Sequence, residues 1–170
     1  MTEANDAVVV AATRTPIGRT GRALAGLAIE DIGMQTVTGV LDVAGLDPDD
    51  IDDLILGEVL RGGGCTARYV ANALGLPPDT PGGAVQRQCA TGMMAVQEAA
   101  AHIRSGMADA MIAGGIESMT RTPLLFAKSP LPFGGVPQAE LSQVGTLKLS
   151  FCILYAFTEN REPRITEAAK

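Results

Sequence analysis

The residue with the clearest chemical potential is Cys89, in the stretch Val85-Gln86-Arg87-Gln88-Cys89-Ala90-Thr91-Gly92-Met93-Met94-Ala95-Val96. Residues 81–85 read as a short strand that stops at the polar Gln86-Arg87-Gln88, and a helical pattern begins at or just after Cys89. Met93, Val96, Ala100, Ile103 and Met107 recur at three- and four-residue spacing and predict one apolar stripe along that helix. Arg104 falls in its last turn and Gly106 supplies the stop. A cysteine at such a strand-to-helix corner faces the unpaired N–H groups and the positive end of the helix dipole. That setting favours thiolate, the nucleophilic form. A strand–nucleophile–helix elbow is a recurring way to display such a group. Against this stands the habit of free cysteine to pack as a small buried hydrophobe, and spacing alone leaves both readings open.

A thiolate that accepts an acyl group needs a proton-transfer partner and donors for the oxyanion. His102 is the only histidine. Thirteen residues of helix put it about 20 Å from Cys89, well beyond the ~3 Å reach of a general base, so it is expected to meet helix-end carbonyls or solvent. Cys65 and Glu117 stand near strand ends, where structural roles are favoured for both. The backbone N–H of Cys89 would supply one oxyanion donor. Gly62-Gly63-Gly64-Cys65-Thr66-Ala67 fits G-x-G-x-x-A after a strand and before a helix, the context of a dinucleotide-binding turn. The acidic residue expected about twenty positions on is missing, and Ala84-Val85-Gln86 stands there instead. A dinucleotide-binding domain is therefore only a lesser alternative.

The elements that must position these residues alternate in type. Residues 7–12 form a continuous apolar run, expected to be a strand buried on both faces. Residues 13–27 are a Gly/Arg/Thr-rich loop whose Arg14, Arg19 and Arg22 read more readily as solvated than as ligand-bound. Residues 29–44 carry Ile32, Thr36, Val37, Val40, Leu41 and Ala44 on one helical face, with Glu30 and Asp31 in the first turn and Gly45 after the last. The acidic run 47–53 reads as solvated surface and fits no EF-hand loop. Residues 54–60 are a second strand, 67–74 a helix and 109–113 a further strand, followed by Gly114-Gly115-Ile116-Glu117-Ser118-Met119. From about residue 135 the patterning weakens. The apolar burst 151–157 reads as a strand, and the charged residues after it read as a frayed tail. This order implies an α/β fold with a mostly parallel sheet and helical crossovers. It places residues 86–89 and 114–118 beyond the carboxyl ends of strands, where ligands bind in such sheets.

Composition narrows the partners. With 46% hydrophobic residues in 170, a real core is expected. Aromatics are only 4%, with no Trp and 20 Gly, as in a core whose backbones approach closely. The net charge of −6 argues against nucleic acid and against a basic membrane-surface patch. Three cysteines without a C-x-x-C, and one histidine, match neither the common zinc patterns nor a disulfide framework. No metal site is expected, and a reducing cytoplasm is the expected location. No apolar run approaches the ~18 residues of a membrane span, and no signal-like segment opens the sequence.

Three motifs then point to a family. Ala12-Thr13-Arg14-Thr15-Pro16-Ile17-Gly18 resembles the opening motif of thiolases. Gln86-Arg87-Gln88-Cys89-Ala90-Thr91-Gly92 resembles their nucleophile motif, of the type Asn-Arg-x-Cys-Ser-Ser-Gly. Gly114-Gly115-Ile116-Glu117-Ser118-Met119-Thr120 is similar to their Gly-Gly-x-Glu-Ser-Met-Ser. The resemblance covers roughly residues 6–125. It implies a thiolase-like fold, here the N-terminal half of a five-layered αβαβα arrangement built from two similar halves. It implies that Cys89 is the catalytic nucleophile, accepting an acyl group from a 3-ketoacyl-CoA or acetyl-CoA as a thioester. Coenzyme A would then be the acyl acceptor, with no further cofactor. It also implies a homo-oligomer with the nucleophile loop close to the dimer interface. Gln86 replaces the usual Asn, and Ala90-Thr91 the usual Ser-Ser. The Gly-His-Pro histidine, the Asn-Glu-Ala-Phe oxyanion segment and the Cys-x-Gly cysteine, which the family carries in its C-terminal half, have no counterpart in the sequence. The expected organisation is a partial thiolase N-terminal domain over residues 1–125 and a divergent tail over 126–170. The expected function is thiolase-type acyl transfer. The alternative is a truncated, catalytically inactive fragment, or a subunit that needs a complementing C-terminal half.

Overall fold

The computed structural model of the protein describes residues 6–59, 64–123, 125–126, 139–140 and 149–159. In chain order the elements are β1 (Ala7–Arg14), β2 (Gly18–Arg19), α1 (Ile29–Ala44), β3 (Asp53–Gly57), α2 (Thr66–Ala73), β4 (Gly82–Val85), α3 (Thr91–Ser105) and β5 (Ala110–Ser118). They are followed by β6 (Leu125–Phe126), β7 (Ala139–Glu140) and β8 (Leu149–Glu159). The main sheet runs β1–β8–β5–β3–β4, with β2 also on β8, and β6 pairs with β7 in a separate ribbon. β3 is parallel to both β4 and β5. β8 is antiparallel to β1 and to β5. The direction shared by β1, β3, β4 and β5 is the α/β arrangement with helical crossovers that the alternation implies, and β8 opposes it.

Side chains alternate across the sheet and sort the helices onto its two faces. Leu54, Leu56, Ile112, Ile116, Leu154 and Ala156 pack with α1 and α2, and Ile55, Met111 and Ala113 pack with α3. Full burial of each large aliphatic side chain contributes about 2 kcal/mol. α1 begins and ends where its sequence pattern places it. The Ala28 N–H donates to Asp31 Oδ2 at 3.1 Å. Gly45 takes the left-handed conformation at φ 65° and donates its N–H to Leu41 O, closing the last turn.

Three expectations are corrected. β1 is not buried on both faces: Ala11 is buried, but Val9 and Val10 are 53% and 40% exposed, because β1 is an outer strand of the sheet. The sheet-facing stripe of α3 is Thr91, Ala95, Ala99 and Ile103. Met93 and Met107 are 62% and 73% exposed, since small residues every fourth position let the helix lie closer to the strands than methionines would. β5 does not end at 113 but continues through Ser118, with Gly114 and Gly115 inside it. A Cβ on Gly114 would overlap the Ile153 carbonyl of β8, so the absence of a side chain is what lets this strand pair there. Among the described residues no helix is long and apolar enough to cross a membrane.

Candidate active site

β4 ends at Val85, and α3 begins at Thr91 rather than at Cys89. The five residues between form a turn that Thr91 holds from within. The Arg87 N–H donates to Thr91 Oγ1 at 2.7 Å, and the same hydroxyl donates to Gln88 O at 2.5 Å. The N–H groups of Ala90 and Thr91 donate to Arg87 O and Gln88 O, each at 3.1 Å. Thr91 is 3% exposed, so its hydroxyl anchors an otherwise exposed turn to the buried start of the helix. Gln88 adopts φ 52°, the only positive φ at a non-glycine among the described residues. A left-handed backbone costs an ordinary residue about 1–2 kcal/mol, and such strain concentrates at functional turns. The next residue is Cys89, which is exposed. The reading of Cys89 as a small buried hydrophobe is thereby set aside.

The turn rests on bare backbone. A Cβ on Gly57 would lie 2.7 Å from Thr91 Cγ2 and 2.8 Å from the Thr91 carbonyl, and one on Gly115 would lie 3.3 Å from Gly92 Cα. The start of α3 therefore sits directly on the end of β3 and the middle of β5. The nucleophile motif and the Glu117 motif meet on one segment: Gln86 Nε2 donates to Val59 O at 3.2 Å, and the Val59 N–H donates to Glu117 Oε2 at 3.1 Å.

Glu58 was not singled out by spacing. It is 6% exposed and accepts from the Thr66 N–H at 2.9 Å and from Thr66 Oγ1 at 2.8 Å. A carboxylate thus fills the N-terminus of α2, the position a pyrophosphate would take in a dinucleotide-binding turn. Gly62 and Gly63 of that motif lie outside the described residues. The one available signal was a charged residue inside the otherwise apolar run 54–60. Cys65 is half-buried and donates its thiol to Gly82 O at 3.3 Å, the structural role expected of it.

His102 lies in the last turn of α3, where its carbonyl accepts from the Met107 N–H and from Ser105 Oγ. Its surroundings are acidic. Asp53, held above the usual carboxylate range mainly by burial, is raised further by Glu98 and Asp52, and is lowered by a hydrogen bond from the Leu54 N–H and by His102. His102 is not brought to Cys89. Arg14, Arg19 and Arg22 are exposed, and Arg14 donates to the carbonyl of Thr15. The arginine that organises the loop is instead Arg121, which donates to the carbonyls of Leu27, Gly26 and Ala25 at 2.7, 3.2 and 3.4 Å. No sequence spacing marks that contact. The acidic run is only partly solvated, since Asp52 Oδ2 accepts from the N–H groups of Asp109 and Ala110. A cleft of about 240 Å³ lies between the start of α1 and the end of β5, walled in part by Ile29, Glu30, Ser118 and Arg121. Ser118 Oγ is buried without a hydrogen-bond partner. Cys89 is not in the wall of this cleft. Among the described residues no cluster of His, Cys, Asp and Glu could hold a metal ion.

Residues 7–148 match the family model described as "Thiolase, N-terminal domain". The mitochondrial acetyl-CoA acetyltransferase of Rattus norvegicus is 36% identical over 139 residues, 81% of this chain and 33% of that protein. A steroid 3-ketoacyl-CoA thiolase of Mycobacterium tuberculosis is 39% identical over 122 residues, 70% of this chain and 30% of that protein. Among solved structures, an acetyl-CoA acetyltransferase of Bacillus anthracis superposes with a TM-score of 0.70 at 31% identity, covering 78% of this chain and 35% of that one. A thiolase of Ascaris suum in complex with coenzyme A gives 0.71 at 29% identity, over 79% and 35% of the two chains. The chain spans about a third of the length of the curated relatives it matches.

Proposed function

Because the chain belongs to the thiolase family, matching its N-terminal domain, we propose that Cys89 is an acyl-accepting nucleophile acting on coenzyme A thioesters. In the degradative direction the Cys89 thiolate attacks the 3-keto carbon of a 3-ketoacyl-CoA. The C2–C3 bond breaks, its electron pair stays on the departing acetyl-CoA carbon, and that carbon takes up a proton. The thiol of coenzyme A then attacks the Cys89 thioester, releasing the shortened acyl-CoA and restoring the cysteine. What supports this reading is the exposure of Cys89 on a turn whose backbone is strained at Gln88 and clamped by Thr91. Mass spectrometry after incubation with acetyl-CoA is expected to find an acetyl group on the peptide bearing Cys89, with the coenzyme A thiol as leaving group, and iodoacetamide is expected to alkylate the same residue. Alkylation of Cys65 and Cys152 with Cys89 left unmodified would overturn the assignment.

The position of His102 favours a further requirement. Eleven residues of α3 separate Thr91 from His102, about 16 Å along the axis, so the proton for the departing carbon does not come from this histidine. That group and a second oxyanion donor are proposed to come from outside this set of residues, in further polypeptide or in another copy of the chain. Thiolysis of acetoacetyl-CoA by the purified chain alone, at a rate near that of a complete thiolase, would remove this requirement.

A further inference from the structure

β3 ends at Gly57, so Glu58 and Val59 lie beyond the ladder that fixes the strand. The entry of the nucleophile turn is nevertheless tied to these two residues. The Glu58 N–H donates to Val85 O at 3.3 Å, and Gln86 Nε2 donates to Val59 O at 3.2 Å. Residues 86–90 are all exposed, so the turn is located by its ties rather than by packing around it. Glu58 is held from the side of α2, through its carboxylate on Thr66. Val59 is held from the side of β5, through the N–H it donates to Glu117 Oε2 at 3.1 Å.

The sheet register explains why Glu117 reaches this point. Gly57 is level with both Val85 and Gly115, so Val59, Gln86 and Glu117 all lie past one line across the sheet. Side chains alternate along β5. Met111 and Ala113 pack on the α3 side, and Gly115 meets Gly92 at the start of that helix. Glu117 is the next residue on the same face, about 7 Å further along the strand. Where Gly115 withholds a side chain and lets the helix settle, Glu117 supplies one long enough to cross to Val59. A carboxylate suits that task, since charge-assisted hydrogen bonds are roughly twice as strong as neutral ones.

We propose that Glu117 is the positioning residue of the nucleophile turn: it fixes Val59, and through Val59 and Gln86 it fixes the backbone that presents Cys89. The proposal rests on the reading of Cys89 as the acyl-accepting nucleophile, and it assigns Glu117 a part that needs no contact with the reacting atoms. Alignment is what such a tie supplies, because misplacing a reacting group by about 1 Å can cost ~100-fold in rate.

Hydrogen exchange and acetylation of the intact chain test this together. In Glu117→Ala the amides of Val59, Arg87 and Thr91 are expected to exchange at least ~10-fold faster, while those of α3 and of residues 110–114 stay within ~2-fold. Glu117→Gln keeps an acceptor for the Val59 N–H and is expected to reverse most of that gain. Gln86→Ala is expected to speed the Arg87 and Thr91 amides about 3-fold in the parent and to add nothing in Glu117→Ala, because the two side chains act in one relay. Uniform acceleration across the sheet, or factors that multiply in the double variant, would overturn the proposal. Should Glu117→Ala fail to melt cooperatively, unchanged exchange of Arg87 and Thr91 in Gln86→Ala would overturn it equally. Acetylation of Cys89 by acetyl-CoA is expected to slow about 10-fold in Glu117→Ala and to recover in Glu117→Gln; an unchanged rate in Glu117→Ala counts against the proposal. A parent chain that takes no acetyl group at Cys89 would instead sink the acyl-acceptor reading, and the exchange rates would still decide whether Glu117 holds the turn.

Discussion

Cys65 and Cys89 each stand just ahead of a helix that follows a strand, yet their surroundings are opposite. Cys65 is half-buried with its thiol spent on Gly82 O. Beside it, the start of α2 is filled by the buried carboxylate of Glu58. Cys89 is exposed. The start of α3 has no side-chain cap, its N-cap residue being Ala90, and no acidic residue in its first turn, while the Thr91 hydroxyl is engaged with the preceding loop. A strand–cysteine–helix corner thus has its helix end filled or left open according to what the neighbouring strand supplies. At α2 a negative charge is already in place. At α3 a negative charge on Cys89 would be the first to meet the positive end of the dipole.

The comparison can be broken hardest at Glu58. Glu58→Ala leaves the buried N–H and hydroxyl of Thr66 without acceptors and is expected to cost about 3 kcal/mol, with Glu58→Gln losing less. Urea denaturation would measure both, and equal stability of Glu58→Ala and the parent chain would mean that α2 does not depend on this cap. Thr91→Val keeps the shape of the side chain but removes both bonds of the clamp. An expected loss of about 2 kcal/mol, with faster exchange of the Arg87 amide, would be read by denaturation and hydrogen exchange. Gln88→Gly has the opposite sign. Relief of the left-handed strain is expected to raise stability by about 1 kcal/mol, while iodoacetamide modification of Cys89 becomes less distinct from that of Cys65.

The smallest effect lies away from both corners, at Asp53. Its carboxyl is raised mainly by burial, so the folded state holds the proton more tightly than the unfolded chain does. The sign follows: stability falls as pH rises from the ordinary carboxylate range through the raised value. Asp53→Asn is expected to melt higher than the parent at neutral pH, and the difference to vanish below the carboxylate range. A variant that melts lower at neutral pH would contradict this.

What the sequence reveals about each region follows from where the information resides. α1 is legible because its apolar period, acidic first turn and terminal Gly45 are all local. The turn before Cys89 is legible as a corner, although Gln88 carries no residue-type signal for a positive φ. The sheet-facing stripe of α3 is hidden, because Ala95 and Ala99 are buried for their small size while methionines give the stronger apolar pattern. β1 is misread because an apolar run has the same appearance at the outside of a sheet as at its centre. Gly114 and Gly115 look like a strand's end, when they are places where Ile153 and Gly92 press close. Glu58, Asp52 and Arg121 act on residues distant in sequence or on bare backbone, and no spacing rule reaches those contacts. The three motifs nevertheless carry the family assignment, because their order and spacing are recorded in the chain itself.

The attachment of β1 through β8 also sets a timetable for assembly. Ala7–Arg14 is made first but has no sheet partner until residues 149–159 exist. On a ribosome, α1, β3, α2, β4, α3 and β5 can pack as they emerge, whereas β1 must wait with its edge open. Such long-range pairing slows folding and prolongs exposure of unpaired strand. For this chain the vulnerable interval is the one between the synthesis of β5 and that of β8.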